Sequence, residues 1–197
     1  LKGNTEFQMG EMVYVGNERL VGEVISLDED TTTIQVFEET TGLRPGETVE
    51  ASGDAISVLL GPGILNNIFD GIERPLSEIA KASGKYISRG VNVDSLDTKK
   101  LWDVHVTVRP GDEVSGGTVI AETQESPAIV HRSMVPPGIT GSVTEVVPDG
   151  QYTITDTIVT ISTKDGKTIP VALAQKWPIR VPRPTAARFA ASQPLLT

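Results

Sequence analysis

The sequence contains no cysteine, so neither a disulfide framework nor thiolate chemistry is open to it, and its composition is compatible with a reducing compartment. It also lacks any apolar run near the roughly 18 residues that a spanning helix requires, and it has no charged-then-apolar segment at its start. A membrane role therefore has to come through partners. Basic residues are outnumbered, 17 against 26 acidic for a net charge of −9, and none of them cluster in a run able to track a phosphate backbone. Nucleic acid is not an expected partner.

Catalytic side chains are equally sparse. His105 and His131 are the only histidines, and their spacing to each other and to carboxylate clusters does not suit a metal ion. Both read as strand residues, His105 alternating with Val104 and Val106. A Ser-His-Asp arrangement lacks a third partner and a strained nucleophile turn. The one Gly-Lys-Thr, Gly166-Lys167-Thr168, has Ile161 where a phosphate loop needs its first glycine, and it reads as a tight hairpin with no helix behind it. The acidic stretches Asp28-Glu29-Asp30 and Glu38-Glu39 read as solvated turns. No catalytic, cofactor-binding or metal-binding residue is assigned.

What is present is enough for one large or two small domains: 197 residues, 38% of them hydrophobic before the 19 glycines are added, an ordinary globular composition. From Met12 to Leu59, short β-type runs alternate with turn residues, the pattern of a small barrel or sandwich. Strands are expected at Met12 to Val15, Leu20 to Leu27, Thr31 to Phe37 and around Ile56 to Leu59. Gly16-Asn17-Glu18 and Asp28-Glu29-Asp30 supply turns, and Thr40 to Glu47 is a loop.

The strand pattern stops at Leu59-Leu60-Gly61-Pro62-Gly63. Gly61-Pro62-Gly63 breaks the backbone out of a strand, and Ile64, Leu65, Ile68 and Ile72 then recur at helical spacing. Gly71 weakens that helix and Arg74-Pro75 ends or redirects it. A short helix is expected at Ser77 to Ser83 with Gly84 as its stop, and Tyr86 to Leu101 reads as loop. A second β-rich block runs from Trp102 to Leu173, with strands near Trp102 to Val108, Val119 to Thr123, Ile129 to Arg132, Ile139 to Val146, Ile158 to Ser162 and Thr168 to Leu173. Pro110-Gly111-Asp112, Gly116-Gly117, Pro136-Pro137-Gly138, Pro148-Asp149-Gly150 and Asp165-Gly166 separate them. Trp102 and Trp177 bracket the block and read as anchors of its base.

The block has two halves that each go turn, glycine, strand, and this layout resembles the flattened sandwich of biotinyl and lipoyl carrier domains. Those domains attach their cofactor to a lysine at a hairpin tip. No lysine occurs between Lys100 and Lys164, and Lys164 and Lys167 belong to a different hairpin, so attachment is excluded while the architecture is not.

A closer resemblance covers Met9 to Thr197. Leu60-Gly61-Pro62-Gly63-Ile64-Leu65, Phe69-Asp70-Gly71-Ile72, Arg74-Pro75-Leu76 and the run from Gln35 to Glu47 resemble the N-terminal barrel and linker of the catalytic A subunit of archaeal and vacuolar-type rotary ATPases. Trp102, Gly111-Asp112, Gly116-Gly117, Val135 to Gly138 and the exit Gln175-Lys176-Trp177-Pro178-Ile179-Arg180-Val181-Pro182-Arg183-Pro184 resemble that subunit's bulge, or non-homologous, insertion. Pro194-Leu195-Leu196-Thr197 is similar to the segment that opens its nucleotide-binding domain. The family's first barrel strand, an apolar segment with Gly-Pro-Val, has no counterpart, so an open sheet edge and an incomplete or displaced barrel are expected. Leu1-Lys2-Gly3 and Pro194 to Thr197 both read as cut ends.

The resemblance implies a mainly β fragment: a truncated N-terminal β-barrel over 1–60, a helical connector and loop over 61–100, a barrel-sandwich-like bulge domain over 101–176, and a Pro-rich linker over 177–197 leading to an absent nucleotide-binding domain. It implies a non-catalytic piece of a subunit that couples ATP synthesis or hydrolysis to H+ or Na+ transport. The piece would hold no cofactor, ATP and Mg belonging to the full subunit. Its implied partners are the other A and B subunits of a hexameric head and the peripheral stalk or stator subunits, with the exposed rim of the second block as docking surface. Its implied location is cytoplasmic, peripheral to the membrane. Two other readings stand beside it: an independent β-rich carrier-like or binding domain without catalytic activity, and a whole small enzyme, for which no nucleophile or metal set is visible.

Overall fold

A computed structural model describes residues 7–65, 67–84, 86 and 88–185; Leu1-Lys2-Gly3 and Pro194 to Thr197 lie outside these. The first unit is a four-stranded antiparallel sheet of β1 (Glu11–Val15), β2 (Leu20–Asp28), β3 (Thr31–Val36) and β4 (Val49–Ala55), in the order β3-β2-β1-β4. β2 and β3 are joined by a two-residue turn at Glu29-Asp30, flanked by the Asp28 and Thr31 pair. β1 and β2 are joined by a turn that needs a left-handed backbone at Gly16 and at Arg19, φ 72° and 55°. Three of these strands lie where alternation puts them. The fourth, β4, has no signal in the sequence: Val-Glu-Ala-Ser-Gly-Asp-Ala has almost no β-branched or aromatic residue. It forms because β1 pairs with it and because the Glu11 carboxylate accepts the Gly53 N–H at 2.9 Å. Among the described residues β3 and β4 are the two ends of this sheet. The core under it is small, Phe7, Val13 and Val24 with Val15, Ile34 and Val49 partly covered.

After β5 (Ser57–Leu60) the chain does not make the helix read from Ile64, Leu65, Ile68 and Ile72. Residues 61–65 and 67–75 are turns and extended chain, with a bridge between Phe69 and Pro75. The four apolar residues share no buried face, since Ile64 packs on the second core while Ile68 is 72% exposed. Gly63 at φ 108° and Glu73 at φ 63° are incompatible with helix, and the Asp70 carboxylate captures the N–H groups of Ile72 and Arg74. Helix begins only at α1 (Leu76–Ser83), which buries Ile79 and ends at Gly84, whose N–H returns to the Ala80 carbonyl at 2.9 Å. Among the described residues, no helix is long and apolar enough to cross a membrane.

The second unit has two four-stranded sheets. One contains β6 (Trp102–Val106), β8 (Val119–Ser126), β9 (Ile129–Met134) and β11 (Gly150–Tyr152), in the order β11-β6-β8-β9. The other contains β7 (Glu113–Ser115), β10 (Thr140–Val146), β12 (Thr157–Thr163) and β13 (Thr168–Ala172), in the order β13-β12-β10-β7. Six of these eight match the expected runs; the short β7 and β11 are hidden inside turn-rich sequence, Gly150 being the first residue of a strand rather than the last of a turn. Gly141 admits nothing larger than glycine, because a Cβ there would meet the Ser162 carbonyl oxygen at 2.1 Å. Both sheets feed one core of Trp102, Val104, Ile120, Val143, Ile154, Ile158, Ile161, Val171 and neighbours. Each such isoleucine contributes about 1.5–3 kcal/mol by burial.

The last strand, β14 (Gln175–Pro178), lies where an extended tether is expected from Trp177 onward. It pairs antiparallel with β5, matching Gln175 to Leu60 and Pro178 to Ser57.

The small core under the first sheet, against the large one shared by the two sheets of the second, makes the first unit the weaker of the two. Amide exchange in β1 to β4 is expected to be faster than in β10 and β12, readable by hydrogen-exchange mass spectrometry; equal protection in both units would contradict this ranking.

Candidate functional site

The chemistry-bearing side chains gather at the junction between the two units. The chain leaves the first unit through β5 and returns beside it through β14, and the Ile179 N–H extends the ladder to the Ile56 carbonyl at 3.1 Å. One residue further, the Arg180 guanidinium grips Glu23 of β2 with Nε at 2.8 Å from Oε1 and Nη2 at 2.5 Å from Oε2. Glu23 is 2% exposed, so its charge requires this partner. The hydrogen bonds and charge of Glu23 in turn raise the Arg180 pKa above its ordinary value. Lys176 meets Asp54 at 2.6 Å, but both side chains are exposed and that pair adds little. Trp177 is half-buried on β14 rather than a core anchor like Trp102. Its Nε1–H donates to the Val181 carbonyl at 2.7 Å and Arg183 stacks on its ring at 4.6 Å, which sets the turn after the ribbon.

A second set of contacts holds the connector. Arg74 donates from Nε to Asp70 at 2.8 Å and from Nη1 to the Val91 carbonyl at 2.9 Å, and it faces Glu38 at 3.4 Å. Glu38 is not the solvated turn residue that its sequence context suggests. Its side chain is 7% exposed and accepts the Gly90 N–H at 3.0 Å, because Arg74 and the 88–93 loop fold over the end of β3; Glu39, like Asp28, Glu29 and Asp30, is exposed. Burial pushes the Asp70 pKa up, but the N–H groups of Arg74 and Ile72 and the Arg74 guanidinium together hold it below the usual value. Burial raises that of Glu73 against the pull of the Leu59 N–H, which reaches its Oε2 at 2.7 Å, and of a Ser95 hydrogen bond. Between the first sheet and the connector lies a cleft of about 380 Å³ lined by Tyr14, Arg19, Glu38, Glu73, Arg74 and Ser95. Its charged groups are engaged with one another or with backbone, Arg19 pairing with Glu50 over the Tyr14 ring. Such an arrangement positions chain segments.

Neither histidine is as isolated as the sequence spacing implies. His105, exposed on β6, has Nδ1 2.6 Å from Asp149, whose other oxygen accepts the Val106 N–H. His131 on β9 has Nδ1 3.6 Å from Glu125. Sequence separation conceals the first pair, 44 residues apart, and the second forms across the β8–β9 hairpin. Among the described residues no group of three or more metal-ligating side chains converges. Gly166-Lys167-Thr168 sits on the expected hairpin: Gly166 has φ 76°, its N–H donates to the Thr163 carbonyl, and Thr168 starts β13. Glu23 and Glu125 carry no signal in the sequence, while Arg180, Arg74 and Glu38 stand in runs that it marks, the proline-rich exit, Arg74-Pro75-Leu76 and Gln35 to Glu47, without a sign of their pairing.

Burial lowers the His131 pKa below 6.5, against the opposing pull of the Glu125 charge. A base whose folded pKa is depressed favours the folded state while neutral. This contribution is full above 6.5 and is lost as pH falls from there toward the folded value. Glu73 acts in the opposite sense above 4.5, its penalty being relieved as pH falls. Thermal stability compared between wild type and His131→Asn is therefore expected to show the wild type losing more on acidification from about pH 7 to about pH 5.5; parallel pH profiles would contradict the assignment.

Comparison with known proteins agrees with these two units. Residues 3–53 match the β-barrel domain of the ATP synthase alpha/beta family and residues 93–180 match the ATP synthase alpha/beta subunit barrel-sandwich domain. The chain is 51% identical to the V-type ATP synthase alpha chain of Halothermothrix orenii over 191 residues, covering 97% of this chain and 32% of that protein. It is 47% identical to the A subunit of the A-type ATP synthase of Methanopyrus kandleri over 190 residues, 96% of this chain and 32% of that one. For the corresponding A-type protein of Thermofilum pendens the identity is 45% over 195 residues, 99% and 32% respectively. The chain thus spans about a third of the length of the relatives it matches. With both domain matches and the relatives running the length of the chain, it belongs to the ATP synthase alpha/beta family, in the branch of the V-type and A-type A subunits.

Proposed function

We propose that this chain is the scaffold part of a catalytic A subunit, which as a whole couples ATP synthesis or hydrolysis to H+ or Na+ movement. Residues 1–60 form the barrel that contacts the neighbouring A and B subunits of a hexameric head. Residues 61–100 are the connector, 101–176 the insertion that projects toward peripheral stalk or stator subunits, and the chain from 177 leads toward the nucleotide-binding part. ATP and Mg belong to that part, and the piece by itself is inactive. The assembly would work at the cytoplasmic face of the membrane without this part entering it.

The observation that carries the reading is the β5–β14 ribbon. Since Leu60 and Gln175 are paired neighbours, everything between them leaves and returns at one place, the geometry of a module inserted into a chain whose path continues past it. The mutual pairing of Arg74 with Glu38 and of Arg19 with Glu50 at the junction cleft supports a positional role, and the hairpin at Gly166 offers no helix N-terminus to a phosphate. The carrier-like alternative has no lysine on the turn between β8 and β9, where Pro127 and Ala128 stand.

Titration calorimetry tests the division. Residues 1–197 are expected to give no heat of binding with Mg-ATP, while the chain extended to the length of its relatives binds. Binding by residues 1–197 at micromolar affinity would overturn the assignment of a scaffold role.

A further inference from the structure

Glu125 belongs to the second unit, yet its carboxylate serves the connector. It is the extra residue of a β-bulge: β8 and β9 pair Gln124 with Val130 and Ser126 with Ile129, leaving Glu125 without an opposite number. A bulge turns its side chain out of the regular alternation. Here it is turned toward Gly61-Pro62-Gly63, where Oε1 accepts two backbone N–H groups, from Gly63 at 2.7 Å and Leu65 at 3.0 Å. The side chain is 5% exposed, and Oε2 faces His131 at 3.6 Å. The two amides can converge on one oxygen because Gly63 adopts φ 108°, a conformation a side chain would oppose. Neighbouring backbone amides aimed at one point form an anion-binding concavity.

We propose that Glu125 is a releasable latch: the Gly63 and Leu65 amides form a carboxylate-binding nest, and Glu125 is its tethered occupant, holding the connector against the second unit. Several features make the contact separable from the rest of the fold. Among the described residues, 61–65 and 67–75 carry no helix or strand of their own. Their apolar side chains are split between Ile64 and Phe69, which lie on the second core, and the exposed Leu65 and Ile68. β9 is an edge strand whose Ile129 and Val130 are exposed, and the pairing of β8 with β6 ends at Thr123, so Glu125 sits beyond the central ladder, on the tip of the hairpin. The latch also forms part of the wall of a cavity of about 450 Å³ between Leu60, Ile64, Leu65, Ile129 and Leu173. Withdrawing the carboxylate loosens that wall and leaves two unpaired amides fit for a small free carboxylate.

Residue-resolved amide exchange on the 1–197 chain tests this with Glu125→Ala and Glu125→Gln. In Glu125→Ala the Gly63 and Leu65 amides are expected to exchange at least about tenfold faster, with Ile158 and Ile161 in the core unchanged. Sodium formate, against sodium chloride at equal ionic strength, is expected to restore part of the protection. Glu125→Gln, which keeps an acceptor oxygen but not the charge, should fall between. Unchanged exchange at Gly63 and Leu65 in Glu125→Ala would overturn the latch. So would Glu125→Gln accelerating Ile158 and Ile161 as much as Gly63 and Leu65, because the residue would then serve only global stability. Equal effects of formate and chloride would overturn the nest as a carboxylate site.

Discussion

The pairing of β5 with β14 is the constraint on which the rest of the architecture depends. It brings together residues more than a hundred positions apart in the chain, so the large loop between them is closed by a backbone ladder. Loop closure over that length is entropically expensive, and the side-chain contacts beside the ribbon offset that cost. Arg180 on Glu23 ties the exit to β2, and Arg74 on Glu38 ties the connector to the end of β3. Both arginines meet carboxylates largely removed from water, where charge-assisted contacts are stronger than on an open surface.

The same junction explains how a chain of net charge −9 uses its acidic residues. Many of them are bound to backbone amides, which have to be paired when removed from water. Glu11 holds Gln8 and Gly53, Glu47 holds Asn17 and Arg44, Asp70 holds Ile72 and Arg74, Glu73 holds Leu59, and Glu125 holds Gly63 and Leu65. Carboxylates are well suited to this because each ionised oxygen accepts more than one donor. They hold turns and connector backbone, and at Gly53 and Leu59 they take strand amides as well.

This explains which parts of the structure are legible in advance. The six longer strands of the second unit and the hairpin at Asp165-Gly166 declare themselves because side-chain alternation and turn chemistry are local, whereas the three-residue β7 and β11 are too short to do so. The helix stop at Gly84 does so for the same reason. β4 escapes a sequence reading because its stability lies in its partner β1 and in Glu11, not in its own residue types. The connector reads falsely as helix because the spacing of Ile64, Leu65, Ile68 and Ile72 is also produced by an irregular chain that buries only some of them. Glu38 and Glu125 carry nothing in sequence that separates them from solvated glutamates; their roles come from Arg74 and from a bulge that exists only once β8 and β9 have paired. The proline-rich exit is distinctive as a string, but its function as a strand depends on a β5 long past in the chain.

The central claim is that the ribbon and its clamps make the two units one body. Residual dipolar couplings measured for amides in β1 to β4 and, separately, in β10 and β12 test it most directly. A single alignment tensor fitting both sets is the predicted result. Two tensors of different magnitude or orientation would mean that the units tumble independently and that the junction contacts do not govern the fold.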